Sequence, residues 1–570
     1  MYAAVASFAR RPRLLLALLA ALVCTPTFAA DRVLVNAKVF TANPLQPYAD
    51  AVAIRDGRVL AVGNRGEVTV AAGSGAEVID LAGRALVPGL IDSHIHAVWG
   101  GVVSLLSTDV KNELGSVAEL GPIAAEAKRS GRGMSGDVLV ISGIPLAIWS
   151  RNDELNALFN GPGYAEQPVF LHGMDGHTGW ANAALRKRAG LTAAYLRGLD
   201  EGHRKYFGYG TNFAPNGFAV DEGLDVIDKQ IPESDAGKNL AGAEAAVAYL
   251  HSLGITSWLD PGVKPAMLAA YRDLSAAGKL TAHVAALIVV KPNDPHPLDE
   301  ALALQKQFAN VRGLTVPGIK VYADGVVEYP SQTAAMTAPY AKTGKTGDLL
   351  FDPKRFAAVC IEADKRGLLV HVHAIGDRAV HETLNGIEAA RKANGPNALP
   401  HTITHLQFIR PTDIPRFKQL GVIASYQLLW ASADTDTIDL VQPYVDPAIY
   451  PWQYPARSLL NAGGMIAGAS DWFVSSPNPF LAIYQAETRR GGKGVLDANE
   501  DMPREAMLYA YTRNAAIAMK QLAEVGSIEP GKQADFAVLD RDVMTVSPEA
   551  LKDTRVLRTM VAGEWVYTAP

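Results

Sequence analysis

The sequence predicts an α/β fold: a (β/α)8 TIM-like barrel with an insertion after its first strand, carrying a small β-sandwich made from the N- and C-terminal segments. Three observations lead there. Eight apolar runs alternate with helical stretches between residues 90 and 471. Both ends of the chain read instead as short strands separated by turn signals. The stretch from about 100 to 237 breaks the alternation.

The first residues stand outside this scheme. Arg10, Arg11 and Arg13 precede an apolar run from Leu14 to Val23, and Thr27-Phe28-Ala29 presents small residues to a signal peptidase. Residues 1–29 are therefore expected to be a secretory signal peptide cut after Ala29, which makes the mature protein periplasmic or secreted. The apolar run is too short for a stable bilayer anchor. Pro12 and Arg13 fit a twin-arginine signal poorly, and bulky Val23 before Cys24 disfavours lipidation. Losing three arginines and no acids moves the net charge from −5 to −8. Such a balance speaks against nucleic acid and against anionic membrane surfaces as partners. Of the two cysteines only Cys360 survives processing, so no intrachain disulfide forms. With 49% apolar and 19% charged residues, stability is expected from a large core.

Residues 30–87 form the first part of the expected sandwich: Val33–Phe40, Ala51–Ile54, Val59–Val62 and Val78–Asp80, with turns at Asp56-Gly57 and Ala82-Gly83. No helix-length apolar period occurs there. Residues 516–570 supply the second part, with strands Ala534–Asp540, Val556–Val561 and Trp565–Tyr567. Chain ends commonly lie close together, which lets the two parts pair. Residues 88–515 hold the barrel. Its strands are expected at Leu90–His96, Gly254–Asp260, Ala282–Val290, Gly318–Asp324, Leu368–His373, Thr402–Phe408, Val422–Gln427 and Met465–Asp471. Helices are expected at Lys238–Ser252, Pro265–Ala277, Pro353–Lys365 and Arg378–Ala393. An insertion after strand one sits above the active face of such a barrel.

The first strand ends in Pro88-Gly89-Leu90-Ile91-Asp92-Ser93-His94-Ile95-His96. Residues two apart on a strand share a face, so His94 and His96 present neighbouring imidazoles, as a divalent cation requires. Alone, the pair is better explained as strand histidines hydrogen-bonded in a core or exposed at an edge. Other strand ends decide the matter. Strand five carries His371 and His373 on one face; His373, nearer the mouth, is the better ligand, and His371 can be an interior histidine one layer down. Strand six places His405 beyond His401, strand eight ends in Ser470-Asp471, and strand four buries Lys320 in an apolar run. Each has a plain alternative: a core histidine, a helix N-cap at Asp471, a snorkelling lysine, a mere turn at Asp324-Gly325. Together they place ligand-type residues on strands one, four, five, six and eight, the distribution of a barrel active site.

At these positions the chain resembles the amidohydrolase superfamily, and more narrowly the branch that includes the N-substituted formamide deformylases. The resemblance runs through the His94-Ile95-His96 motif, Asp175-Gly176-His177-Thr178-Gly179-Trp180-Ala181-Asn182, Gly254-Ile255-Thr256-Ser257, Lys320, His373-Ala374-Ile375-Gly376-Asp377, His405, Ser470-Asp471 and Gly526 to Asp535. It implies two divalent ions, zinc by analogy. His94, His96 and Asp471 would hold one, His373 and His405 the other, and Lys320, carboxylated by carbon dioxide, would bridge them. It also implies hydrolysis of a non-peptide C–N bond, N-acyl or N-formyl, by a metal-bridging hydroxide, with Asp471 shuttling the proton. His177 would hydrogen-bond the oxyanion or the substrate, a structural role being equally open.

Trp99, Trp149, Trp180, Trp430, Trp472 and Phe473 hint at an apolar pocket for a small amide-type substrate, with Trp180 and Trp472 as its contacts. Departures from the branch flank the site: Thr404 where an acid often stands, Val326-Val327-Glu328-Tyr329 in place of a glycine-rich turn, and Trp472-Phe473 after Asp471. They leave the substrate open. The alternatives are a deaminase or a lactone or ester hydrolase on the same barrel; superfamily deaminases typically use one metal and lack the bridging lysine, so Lys320 argues against the first. An exported binding or regulatory protein with this fold is the non-enzymatic alternative, yet no ligand is missing. A homo-oligomer is left open.

Overall fold

The computed structural model describes residues 32–395 and 399–570. The expected signal peptide at residues 1–29 lies outside the described residues. The central element is an eight-stranded parallel sheet in the order Leu90–Asp92, Ile255–Pro261, His283–Val289, Leu314–Tyr322, Leu369–Ala374, Thr402–His405, Ile423–Tyr426 and Met465–Gly468. These strands are buried on both faces, which is why they read as unbroken apolar runs. Helices return the chain between most of them. Pro353–Lys365 starts with proline in its first turn, and the Asp352 side chain accepts from Arg355 N. Ala236–Ser252 is capped in the same way by Asp235. Both are N-terminal signals visible in sequence.

The first and eighth strands close the ring at a seam outside the regular ladders. Ser93 N donates to Gly468 O at 2.9 Å, Asp471 N donates to His94 O at 2.8 Å, and His96 N donates to Trp472 O at 2.8 Å. This corrects one expectation. The strands stop at Asp92 and Gly468, so His94, His96 and Asp471 stand on the turns just beyond them. Strand alternation therefore does not pair the two histidines; the cross-seam hydrogen bonds do.

The two ends of the chain pair in one sheet, and a second sheet, built from the N-terminal segment alone, packs against it. One has the order Glu564–Thr568, Val556–Val561, Phe536–Leu539, Ala85–Pro88, Lys38–Phe40, Tyr48–Ala49, with Phe536–Leu539 antiparallel to Ala85–Pro88. The other is Arg58–Gly63, Ala51–Arg55, Arg32–Val35, Glu77–Asp80. Leu34, Val52, Ile54, Leu86, Phe536 and Met560 fill the space between. The single run expected at Val33–Phe40 divides at Asn36, whose φ is +53°, and its halves serve different sheets. A helix, Arg65–Ala72, also occurs where none was expected. It buries only Val68 and Ala72, too few anchors for a detectable period.

Between the first two barrel strands lies a six-stranded sheet, ordered Phe207–Tyr209, Pro215–Val220, Thr178–Ala181, Val169–Gly173, Val138–Ile144, Met134–Ser135. It has its own core, including Leu139, Ile141, Leu155, Phe159, Leu171 and Trp180. Its turn at Asp175–His177 reaches the barrel, bringing the His177 ring to 5.1 Å from that of His373.

Candidate metal and catalytic site

Three ligand atoms converge at the seam. His94 Nε2 and His96 Nε2 each lie 3.2 Å from Asp471 Oδ1. Asp471 Oδ1 is buried and has no partner in hydrogen-bond geometry. The three side chains form the one group of histidine, cysteine or acid ligands among the described residues whose atoms fall within 4.8 Å of one another. A buried carboxylate oxygen without a donor is costly, and a divalent cation placed among these atoms removes the cost. The site therefore fits a metal ion.

One ring nitrogen each of His94, His373 and His405 is tied to the protein, which fixes which nitrogen faces the centre. His94 Nδ1 lies 2.6 Å from His371 Nε2, and His371 Nδ1 meets Thr402 Oγ1. His373 Nε2 lies 3.0 Å from Gly325 O and donates to it. His405 Nδ1 donates to Gln427 Oε1 at 3.1 Å, and Gln427 Nε2 donates to Thr404 Oγ1 at 3.1 Å. Thr404, where an acid was noted as usual, thus steadies the amide that orients His405. His371 takes the interior place, behind His94 and one layer down.

His373 and His405 lie with ring centres 4.5 Å apart, and His405 is 4.9 Å from His94. Burial pushes both imidazoles, and His371, well down, and it pushes His94 down to about 3 with help from Lys320. Neutral imidazole is the form that ligates metal. Lys320 is 1% exposed. Burial lowers its ammonium to about 7 against the opposing pull of Asp471, so a large share is neutral amine near neutral pH. Burial also opposes the charge of Asp471, but the His94, His96 and His405 imidazoles hold its carboxyl well below the usual range.

Several residues support the site through contacts that a local motif does not reveal. Asp92 Oδ1 accepts from His94 N and Ser470 N, both at 3.1 Å, and so ties the two halves of the seam. Asp324 is no mere turn residue. It is fully buried and accepts from Ala335 N, Ile375 N and Gly376 N at 2.8–3.0 Å, fixing the loop beyond His373. Asp221 Oδ1 lies 2.7 Å from His177 Nδ1. Burial works against a charge on His177, yet the bond to Asp221, that carboxylate's charge and those of Asp175 and Asp471 raise it to about 9. Asp221 lies 44 residues further along the chain, at a distance no spacing rule reaches.

The aromatic residues divide. Trp99 packs 4.4 Å from Phe473 and 6.0 Å from His96, and Trp430 stacks on His405 at 5.6 Å. Trp472 packs 5.3 Å from Tyr249 and, with Phe473, Leu105 and Met174, lines a cavity of about 280 Å³. Trp180 does not belong with them, which corrects its expected role as a substrate contact. It is 1% exposed in the core of the inserted sheet, and its Nε1 donates to Asn152 Oδ1 at 2.8 Å. Trp149 is buried there too, donating to Thr178 Oγ1 at 2.9 Å.

The sequence profile of the amidohydrolase family matches residues 77–567. The chain is 28% identical over 568 residues to the Protein LONG AFTER FAR-RED 3 of Arabidopsis thaliana, covering 94% of this chain and 92% of that protein. It is 25% identical over 578 residues to the N-substituted formamide deformylase of Arthrobacter pascens, covering 94% and 98%. A solved structure titled an uncharacterized metal-dependent hydrolase from Pyrococcus horikoshii superposes with a TM-score of 0.70 at 24% identity, covering 91% of this chain and 99% of that one. This last likeness is one of fold.

Proposed function

The chain belongs to the amidohydrolase family, and on that premise we propose that it is an exported, metal-dependent hydrolase of a non-peptide amide bond, N-acyl or N-formyl, in a small molecule. The observation that carries the reading is the unpartnered Asp471 Oδ1 between the Nε2 atoms of His94 and His96. His94, His96 and Asp471 would hold one divalent ion and His373 and His405 a second, with Lys320 carboxylated between them. Zinc suits these nitrogen and oxygen donors. Ions held there supply polarisation of a carbonyl and activation of water near neutral pH.

The chain's own residues do the rest. His177 is anchored through Nδ1 on Asp221, so its Nε2 is the nitrogen left to donate to a carbonyl oxygen as that oxygen gains charge. Asp471 accepts the proton of the attacking water at its carboxylate and returns it to the departing nitrogen. Trp99 and Phe473 beside His96 give the mouth an apolar wall. The formamide deformylase among the relatives supports a C–N bond as the target, and the signal-like N-terminus supports export.

The test is elemental analysis of the mature protein, wild type and Lys320→Ala, with a panel of N-formyl and N-acyl amides. Near two zinc ions in wild type, fewer in the variant and turnover of an amide are expected. One ion unchanged by the substitution overturns the bridged site, and none after zinc addition overturns the enzyme reading.

A further inference from the structure

Tyr322 is the last residue of strand four, Leu314–Tyr322, two positions beyond Lys320. Residues two apart on a strand share a face, so its phenol stands on the face of the buried Lys320 amine, one layer nearer the mouth. The contacts agree with that placement. Lys320 Nζ lies 4.8 Å from the centre of the Tyr322 ring. Tyr322 pairs in register with His373 on strand five, and their rings lie 5.5 Å apart. The ring of His177 is 6.5 Å away, turned by 73°. The hydroxyl end reaches toward the other ligand group. A Cβ built on Gly262, just after strand two, would lie 3.8 Å from Tyr322 Oη and 4.0 Å from His96 Cε1. Gly262 has φ +88°, a left-handed conformation that favours glycine, so the backbone there adds no side chain beside either atom. The ring thus extends from His373 toward His96, over Lys320.

The hydroxyl is unused by the protein. Among the described residues Tyr322 Oη makes no hydrogen bond, although a phenol this deep in a fold usually has a partner. The residue is half-buried, and Oη keeps accessible surface. Two free donors therefore stand beside the centre, Tyr322 Oη and His177 Nε2, the latter on a ring whose Nδ1 is held by Asp221.

We propose that Tyr322 is a catalytic residue whose hydroxyl, together with His177 Nε2, donates a hydrogen bond to the substrate's carbonyl oxygen as water attacks the carbonyl carbon. The proposal rests on the amide-hydrolase reading of this centre. A planar amide oxygen carries partial charge, and the same oxygen carries nearly a full charge once the carbon is tetrahedral. Donors already in place stabilise the second state more than the first, which lowers the barrier. An oxyanion has lone pairs for more than one such bond, so His177 alone does not exhaust it. The phenol keeps its proton throughout, and the proton transfers stay with Asp471. Packing of the ring on His373 and Lys320 fixes the donor before substrate arrives. The plain alternative, a ring that merely covers Lys320, requires the ring and not the hydroxyl.

Tyr322→Phe separates the two, because it keeps the packed ring and removes only the donor. Since Oη has no protein partner, its loss strands no other group, and the fold is expected to hold. The experiment takes zinc-loaded mature wild type and variant, the N-acyl or N-formyl amide that wild type hydrolyses fastest, and the methylphosphonamidate of the same amine, whose tetrahedral phosphoryl oxygens stand for the attacked carbonyl. The variant is expected to carry the zinc of wild type and to lose about 100-fold in kcat with KM within about twofold. Calorimetry is expected to show the phosphonamidate bound at least about tenfold more weakly. Unchanged kcat and phosphonamidate affinity overturn the proposal. So does a raised KM with kcat retained, which marks a ground-state contact, and so does lost zinc, which assigns the hydroxyl to the ligand set. A wild type that hydrolyses amides while the variant matches it refutes the role of Tyr322 alone. A wild type that hydrolyses no amide refutes the hydrolase reading, and this proposal with it.

Discussion

Replacing His371 with leucine should weaken metal binding although His371 itself touches no metal. For His94 Nε2 to offer a lone pair, its Nδ1 must carry the proton and donate it to His371 Nε2, 2.6 Å away. His371 Nδ1–H must then donate to Thr402 Oγ1, completing a buried chain. Leucine leaves the His94 Nδ1–H without an acceptor at a residue that is 1% exposed. An unsatisfied buried donor costs about 1–3 kcal/mol. The imidazole escapes that cost by moving the proton to Nε2, where Asp471 Oδ1 lies 3.2 Å away and can accept it. A metal must then displace that proton. The expected loss is about 10- to 100-fold in zinc affinity, equivalent to roughly 1.4–2.7 kcal/mol. His371→Gln keeps an acceptor in place and should lose less. The assay is zinc competition against a chromophoric chelator at fixed pH, with melting of the apo proteins to confirm folding. A leucine variant that binds zinc within twofold of wild type would refute the tautomer argument.

Other outcomes follow from residues away from the ligands. Trp180→Phe should destabilise the protein by about 1–3 kcal/mol, because it strands the side chain of Asn152, while leaving KM unchanged; urea unfolding and steady-state kinetics read the two. Gly101→Ala should be more severe, since a Cβ there would lie 2.0 Å from Gly242 O and force the helix Ala236–Ser252 away; the expected cost exceeds the usual overpacking range of about 1–3 kcal/mol and shows as a lower denaturation midpoint. His283, at the foot of strand three, lies 2.9 Å from Asp535 of the sandwich. Burial opposes its charge, but Asp535 raises its pKa above the ordinary value. That contribution is complete below the unfolded pKa of about 6.5 and disappears as pH rises through the raised folded value. The melting-temperature gap between wild type and His283→Gln should therefore be widest near pH 5.5 and shrink toward pH 9.

The barrel was legible because its strands are largely buried, so apolar runs carry the pattern without tertiary information, helped by N-caps at Asp235 and Asp352. The two-ended sandwich was legible from strand texture, but the division of Val33–Phe40 was not, because it depends on one left-handed residue, Asn36. At the site, the candidate residues at or beyond the strand ends could be read, whereas the supporting roles of Asp92, Asp221 and Asp324 could not. Their roles come from backbone N–H groups and rings contributed by segments far along the chain. Trp180 was misplaced for a related reason. Its motif neighbour His177 faces the barrel, but its own side chain packs against Phe159, at 6.0 Å, on the inserted sheet's private core.

The seam explains why the ligands are where they are. A barrel closed by regular pairing along its whole length would leave strand alternation to set every side chain. Here the first and eighth strands stop early, and the backbone beyond them is free to turn. Asp471 has φ +55° and His405 has φ +77°, left-handed conformations that cost of order 1–3 kcal/mol each for such residues. Nothing in local sequence favours them over glycine. The conformation of Asp471 persists because Asp92 grips both sides of the seam and Asp471 N is bound to His94 O, and that of His405 is held by Gln427 and by Leu406 N on Ala374 O. The same contacts that close the barrel bring Asp471 Oδ1 against two imidazoles. A metal in that position satisfies the orphaned oxygen and holds the strained turn, so ring closure and metal binding draw on one set of interactions.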